Sequence, residues 1–322
     1  MSGFANTVRD SLAEVSADGK FVRVASGYRE IISHEHPVYK PEKGRYHLYI
    51  SYACPWANRC LAVLKLKGLS DVISFTVVHP TWQKTKPNDA NDKHFGWAFY
   101  DSKSRIPLKN PNGFGSFVAD GCEPDPINDA KFVRDLYELS NDQIKKYSVP
   151  VLWDKKTSSI VNNESSEIIR MFNSAFNEFI QPASSPYAIH DFAPAHLLKE
   201  IDEINDFVYP NINDGVYRSG FAKSQAAYED AVEKLFRALD RIENEFLSKR
   251  RYLLGNTLTE SDIRLFMTLV RFDEVYVVYF KCNLKTLMHD YPNIQNYLRE
   301  LYQIKEIQET ISMDHIKIHY YR

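Results

Sequence analysis

The sequence predicts an α/β domain followed by an all-α domain, on three observations. Residues 46–78 read strand, helix, strand, the order of a parallel βαβ unit. Residues 149–162 read as two more strands joined by a polar turn. From residue 196 onward the apolar residues recur with the 3.6-residue period of helices. The chain divides accordingly into an arm over 1–45, an α/β domain over 46–183 and a helical domain over 184–322.

The arm is polar and irregular, and reads as a segment lying over the body of the protein. Phe21-Val22-Arg23-Val24 is its one short strand candidate. His34 and His36 lack the further ligands that a metal site needs. Next comes YHLYISYACPWANRCLAV, residues 46–63. Its first half alternates and is rich in β-formers, as a strand requires. Pro55 suits a first helical turn, where a missing N–H costs nothing. Ala57, Leu61, Ala62, Leu64 and Leu66 then form the apolar face of a helix that Gly68 ends. Cys54 therefore sits at a strand-to-helix turn. Free backbone N–H groups and the positive end of the helix dipole favour its thiolate there, and Arg59 is expected to add to this. The competing reading is a buried, inert thiol. A Cys-x-x-Cys pair is absent, because Ala57 stands where the second cysteine would be. Cys60 lies six residues on, so a helix points it about 120° away from Cys54. A disulfide formed by Cys54 must then be resolved by an outside thiol.

Residues 72–78 form a buried type of strand. The long stretch 79–126 is rich in Pro, Asn, Asp, Lys and Gly, and loops of such length usually carry function. Within it, Phe95-Gly96-Trp97-Ala98-Phe99 reads as an aromatic anchor. Residues 128–139 have helical spacing. Pro150, after Val149 at the head of an apolar strand, predicts a bend with a cis bond. Such a bend frees the N–H and C=O of Val149 to hold an extended peptide. Asn163-Glu164-Ser165 opens a helix, whose free N–H groups suit a carboxylate while Glu164 suits an ammonium. Residues 181–187 form a linker. Helices are predicted at 197–208, 225–247, 261–278, 294–303 and 304–311. Between the first two, 211–222 reads as an irregular, Gly-flanked aromatic segment. Thr259-x-x-Asp262 is a structural capping box. His315 and His319 stand at i and i+4 without a third ligand, which favours capping or packing.

Composition narrows the function. A net charge of −2 with no long basic run argues against nucleic acid or an anionic membrane as partner. No apolar run reaches the length of a membrane span, and the first residues lack the apolar core of a signal peptide. Four scattered cysteines do not suggest a disulfide framework, so the expected compartment is the cytosol.

Ser51-Tyr52-Ala53-Cys54-Pro55-Trp56-Ala57-Asn58-Arg59 resembles the active-site segment of the glutathionyl-hydroquinone reductases. These are the Xi class of glutathione transferases, and fungal members are also called omega-like. The segments around Trp97, Asn163-Glu164-Ser165 and Tyr217, the run 269–282 and the end 315–321 match in the same order. The resemblance implies a thioredoxin-like domain, with a cis-proline opposite Cys54, followed by an all-helical glutathione-transferase domain, and it implies a homodimer. It implies glutathione as co-substrate and no other cofactor or metal. Trp97 would lie against the glutathione, Val149 would hold its cysteinyl part, Lys146 would bind it, and Glu164 and Ser165 would take its γ-glutamyl end. Tyr217 and Tyr320 would enter the pocket of an aromatic, hydroquinone-type substrate. The implied activity removes glutathione from glutathionyl-hydroquinones through a Cys54–glutathione mixed disulfide, with thiol transferase and dehydroascorbate reductase side activities. A general omega-like thiol transferase is the alternative, and a non-catalytic interaction module is the alternative of another class. The chain departs from the usual family pattern at Asn58, where His is usual, and at Lys146, where Arg is usual. Lysine keeps the charge but not the bidentate fork. The family also usually carries a tail beyond the position of Arg322.

Overall fold

The computed structural model describes residues 14–321, so the first 13 residues of the predicted arm and Arg322 lie outside the described residues. Strand β1 (Tyr46–Ile50) is buried at every position, as a strand covered on both faces must be. It pairs in parallel with β2 (Ser74–Val77). Helix α1 (Pro55–Leu66) makes the crossover between them. A short ribbon of β3 (Gln83–Lys84) and β4 (Phe95–Gly96) follows within the long loop region. After α2 (Val133–Leu139), β5 (Val151–Asp154) pairs antiparallel with β1. Strand β6 (Ser159–Asn162) pairs antiparallel with β5, giving the order β2-β1-β5-β6. Helix α3 (Ser165–Ser174) then packs against α1.

The remainder is helical: α4 (Leu198–Val208), α5 (Gly215–Phe221), α6 (Gln225–Arg241), α7 (Glu260–Leu269), α8 (Leu287–Asp290), α9 (Pro292–Tyr302), α10 (Lys305–Gln308) and α11 (Met313–Tyr321). At the head of α7, Asp262 closes the expected capping box on the Thr259 N–H at 2.9 Å. Helix α1 touches α7 and α10 as well as α3, so the helix behind Cys54 is shared by the sheet and the helices. Asn58 fastens this contact, its amide donating to the Thr310 carbonyl at 2.6 Å.

Four local expectations need correction. Residues 22–24 form no strand, and the described part of the arm makes isolated bridges instead, Val15 with Phe21 and Arg29 with Asn162. Helix α2 starts later than 128. The Asp125 carboxylate gathers the amides of Ile127, Asn128 and Ala130 into a turn, and Asp129 takes a left-handed φ of 53°. The 261–278 helix is interrupted at Arg271 and resumes as a π-helical turn, Phe272–Tyr276. The Arg271 side chain folds back onto the Met267 carbonyl and away to the Cys54 turn. Residues 211–222 are ordered as a π-helical turn, Tyr209–Asn213, leading into α5. A wide turn accommodates Pro210, which cannot donate to a regular helix. Gly220 serves close packing: a Cβ there would lie 2.0 Å from the Phe280 ring.

Candidate active site

Cys54 is the N-cap of α1, with extended φ and ψ of −79° and 115°. The residue is partly exposed, and its thiol donates to the Val149 carbonyl at 3.6 Å. The Val149–Pro150 bond is cis. Burial pushes the thiol above its usual value. The Ala57 and Trp56 amides, then Arg271 and Arg23, pull the other way without prevailing. The helix start thus acts in the expected direction, but desolvation outweighs it. Arg59 does not assist the thiol. It is buried, donates to the Ser165 hydroxyl at 2.7 Å and lies 3.7 Å from Glu164. Cys60 is fully buried, with its thiol on the Trp56 and Ser165 carbonyls.

Two cavities meet at Val149, Lys146, Arg23 and Trp56. The smaller, about 270 Å³, is lined by Glu164 and Ser165. Glu164 caps α3, accepting from the Ser166 amide at 3.1 Å and from the Ser26 hydroxyl at 3.1 Å. Burial opposes its ionisation, but Arg59 and these hydrogen bonds prevail and hold its carboxyl below the usual range. The larger cavity, about 430 Å³, is lined by Cys54, Trp97, Tyr217 and Tyr320. The Tyr217 and Tyr320 hydroxyls are 2.8 Å apart. Burial raises both phenols well above their ordinary value, so they stay protonated and able to donate. All eight residues singled out from the sequence therefore line one or both cavities.

Two details were not foreseen. Lys146 donates to the Val24 carbonyl at 2.9 Å and pairs with Glu14 at 2.6 Å, so the arm already engages it. His319 stacks on the Trp97 ring at 4.8 Å between centroids, and the Trp82 ring meets Trp97 edge-on at 5.7 Å. The sequence reading also missed Arg23, which binds Asp214 at 2.7 Å and lies over the Trp56 and Tyr217 rings. Its placement in a polar, irregular arm gave no signal. For His315 and His319 the packing role expected in place of a metal pair holds. The His319 ring nitrogen meets the Pro80 carbonyl, and His315 meets the Asp120 carbonyl. No group of three or more His, Cys, Asp or Glu that could hold a metal ion occurs among the described residues. Nor, among them, is any helix long and apolar enough to cross a membrane.

Comparisons with known proteins point to one family for the whole of this architecture. Residues 53–175 match the family model of the glutathione S-transferase N-terminal domain, and 225–300 that of the C-terminal domain. The chain is 45% identical over 308 residues to glutathione S-transferase omega-like 2 of Schizosaccharomyces pombe, covering 95% of this chain and 89% of that protein. It is 43% identical over 315 residues to glutathionyl-hydroquinone reductase YqjG of Escherichia coli, covering 95% and 86%. The glutathione-bound structure of YqjG superposes with a TM-score of 0.78, covering 95% of this chain and 89% of that one. The crystal structure of glutathione S-transferase Xi from Phanerochaete chrysosporium is 46% identical, with a TM-score of 0.82 and coverage of 95% and 89%.

Proposed function

This chain belongs to the Xi-class glutathione transferases, and on that premise we propose that it is a glutathione-dependent reductase that removes glutathione from glutathionyl-hydroquinones. The observation that carries the reading is the placement of Cys54 within one cavity with the hydrogen-bonded pair Tyr217 and Tyr320. Glutathione lies along Val149, with its γ-glutamyl end at Glu164 and Ser165, Lys146 beside it and Trp97 against it. The ammonium meets the Glu164 carboxylate. The γ-glutamyl carboxylate meets the start of α3 at Ser165, where the positive end of the helix dipole favours an anion.

The Cys54 thiolate attacks the sulfur that joins glutathione to the aromatic ring. A sulfur–sulfur bond forms as the carbon–sulfur bond breaks, and the ring carbon keeps the electron pair. Tyr217 and Tyr320 hydrogen-bond the ring hydroxyls and help deliver the proton to that carbon. The aromatic leaves reduced, and Cys54 is oxidised to the mixed disulfide. A second glutathione thiolate attacks this disulfide, releasing oxidised glutathione and restoring the Cys54 thiolate. The burial of Cys60 away from the cavity supports this outside resolution. The same thiol supports thiol transferase and dehydroascorbate reductase activity. A cytosolic homodimer with glutathione at hand belongs to the same proposal.

The test is turnover of a glutathionyl-hydroquinone beside the mixed disulfide of glutathione with mercaptoethanol. Aromatic turnover well above the disulfide rate is the expected outcome. Disulfide turnover alone would replace the reading by a general thiol transferase, and absence of both together with failure to bind immobilised glutathione would leave a binding module.

A further inference from the structure

We infer that Arg271 is a positioning residue for Cys54, fixing the turn that carries the nucleophile and serving as the buried counter-ion of its thiolate. The inference rests on the reading of Cys54 as nucleophile. Arg271 is fully buried between α7 and the following π-helical turn. Its partners among the described residues are all neutral: the carbonyls of Tyr52 at 2.8 Å, Ala53 at 3.2 Å and Met267 at 2.6 Å, and the side-chain oxygen of Asn58 at 3.3 Å. A guanidinium taken out of water without an opposite charge is costly, and carbonyl dipoles offset only part of that cost. Two of these carbonyls belong to the residues immediately before Cys54, so the cation is held against the turn that carries the sulfur. Ionisation of Cys54 supplies the missing anion.

The other groups around the sulfur do not take this role. Arg23, from the arm, has Asp214 as its own partner. Tyr217 of α5, Tyr276 of the π-helical turn and Cys60 of α1 are pushed up by burial and stay neutral. Asn58 completes the clamp, accepting from Arg271 and donating to Thr310, one turn along α1 from the nucleophile. The helices thus set both the position and the charge environment of a thiol that belongs to the sheet side.

The experiment is the pH profile of Cys54 alkylation by iodoacetamide, with the modified cysteine identified by mass spectrometry and no glutathione present. Arg271→Gln keeps donors for the carbonyls but removes the charge. It is expected to move the midpoint up by at least about one pH unit and to slow alkylation at neutral pH about tenfold. Arg271→Lys keeps the charge and is expected to restore most of the wild-type profile. Asn58→Asp gives Arg271 a carboxylate while leaving the guanidinium in place, so it also moves the midpoint up and carries the test if Arg271→Gln does not fold. Wild-type profiles in the folded neutral variant and in Asn58→Asp would overturn the inference. An Arg271-dependent profile in an enzyme that fails to turn over the aromatic thioether would instead overturn the proposed reaction and leave the counter-ion standing.

Discussion

The two cavities that meet at Val149 are built by different means. The smaller is organised by charge and backbone: Glu164 caps α3, and Arg59 reaches the Ser165 hydroxyl beside it. The larger is organised by rings, with Trp82, Trp97 and His319 packed on one another and Tyr217 paired with Tyr320. Residues 163–165 are contiguous at the start of one helix, so local chain geometry sets much of the polar subsite. The aromatic cavity draws on β4, α5 and α11, which are distant in sequence, so tertiary packing sets it. A change in the first should affect every glutathione-dependent reaction. A change in the second should affect only the reaction that needs a flat substrate.

Cys54 lines the larger cavity, but the proposed chemistry needs its thiolate for both reactions, so Cys54→Ser has the largest expected effect. Turnover of the aromatic thioether and of the small disulfide should both fall by roughly a thousandfold or more, the scale of losing a catalytic nucleophile. Substantial turnover in that variant would remove the basis of the comparison. Tyr217→Phe and Tyr320→Phe come next. Each should lower aromatic turnover by about a hundredfold, the low end for a lost proton donor, and leave disulfide turnover unchanged. Equal losses on both substrates would mean that the two cavities are not separable.

Glu164→Ala should raise the glutathione KM about tenfold for both substrates, since a hydrogen bond to a charged group contributes about 1.5–3 kcal/mol. It should also cost about 1 kcal/mol of stability through the lost helix cap, measurable by thermal unfolding. A loss confined to the aromatic substrate would contradict the assignment of Glu164 to the shared subsite. The smallest effect concerns the ratio of the two activities with pH. Burial raises the Cys54 thiol, so neutral pH lies on the rising limb of thiolate formation, where the rate climbs about tenfold per pH unit. The phenols titrate higher still, so both rates should rise together between roughly pH 6 and 8, with their ratio constant. A changing ratio would mean that a further group titrates in the aromatic cavity.

The strand-to-helix turn at Cys54, the bend at Val149-Pro150 and the helix start at Glu164 were legible because each is written in a few adjacent residues. Tyr217 and Tyr320 were legible only through the resemblance, since nothing local marks a phenol that will meet another 103 positions away. Arg59 was misassigned by proximity in sequence, because the helix carries its guanidinium to Ser165 and Glu164. Arg271 gave no usable sign, and His319 pointed to packing without showing that Trp97 is its partner, because their partners lie on elements that only folding brings near.

The sequence by itself determined the βαβ unit and the two strands after it, the cysteine at the first helix start and the capping of α3. Each of these follows from side-chain periodicity, proline stereochemistry and unpaired N–H groups within a short window. Only the tertiary structure decided that Arg271 holds the Cys54 turn, that the arm engages Lys146, that two distant phenols share a hydrogen bond and that burial raises the thiol. Those outcomes depend on distances between segments and on how much water packing excludes, and neither is encoded in any one stretch of chain.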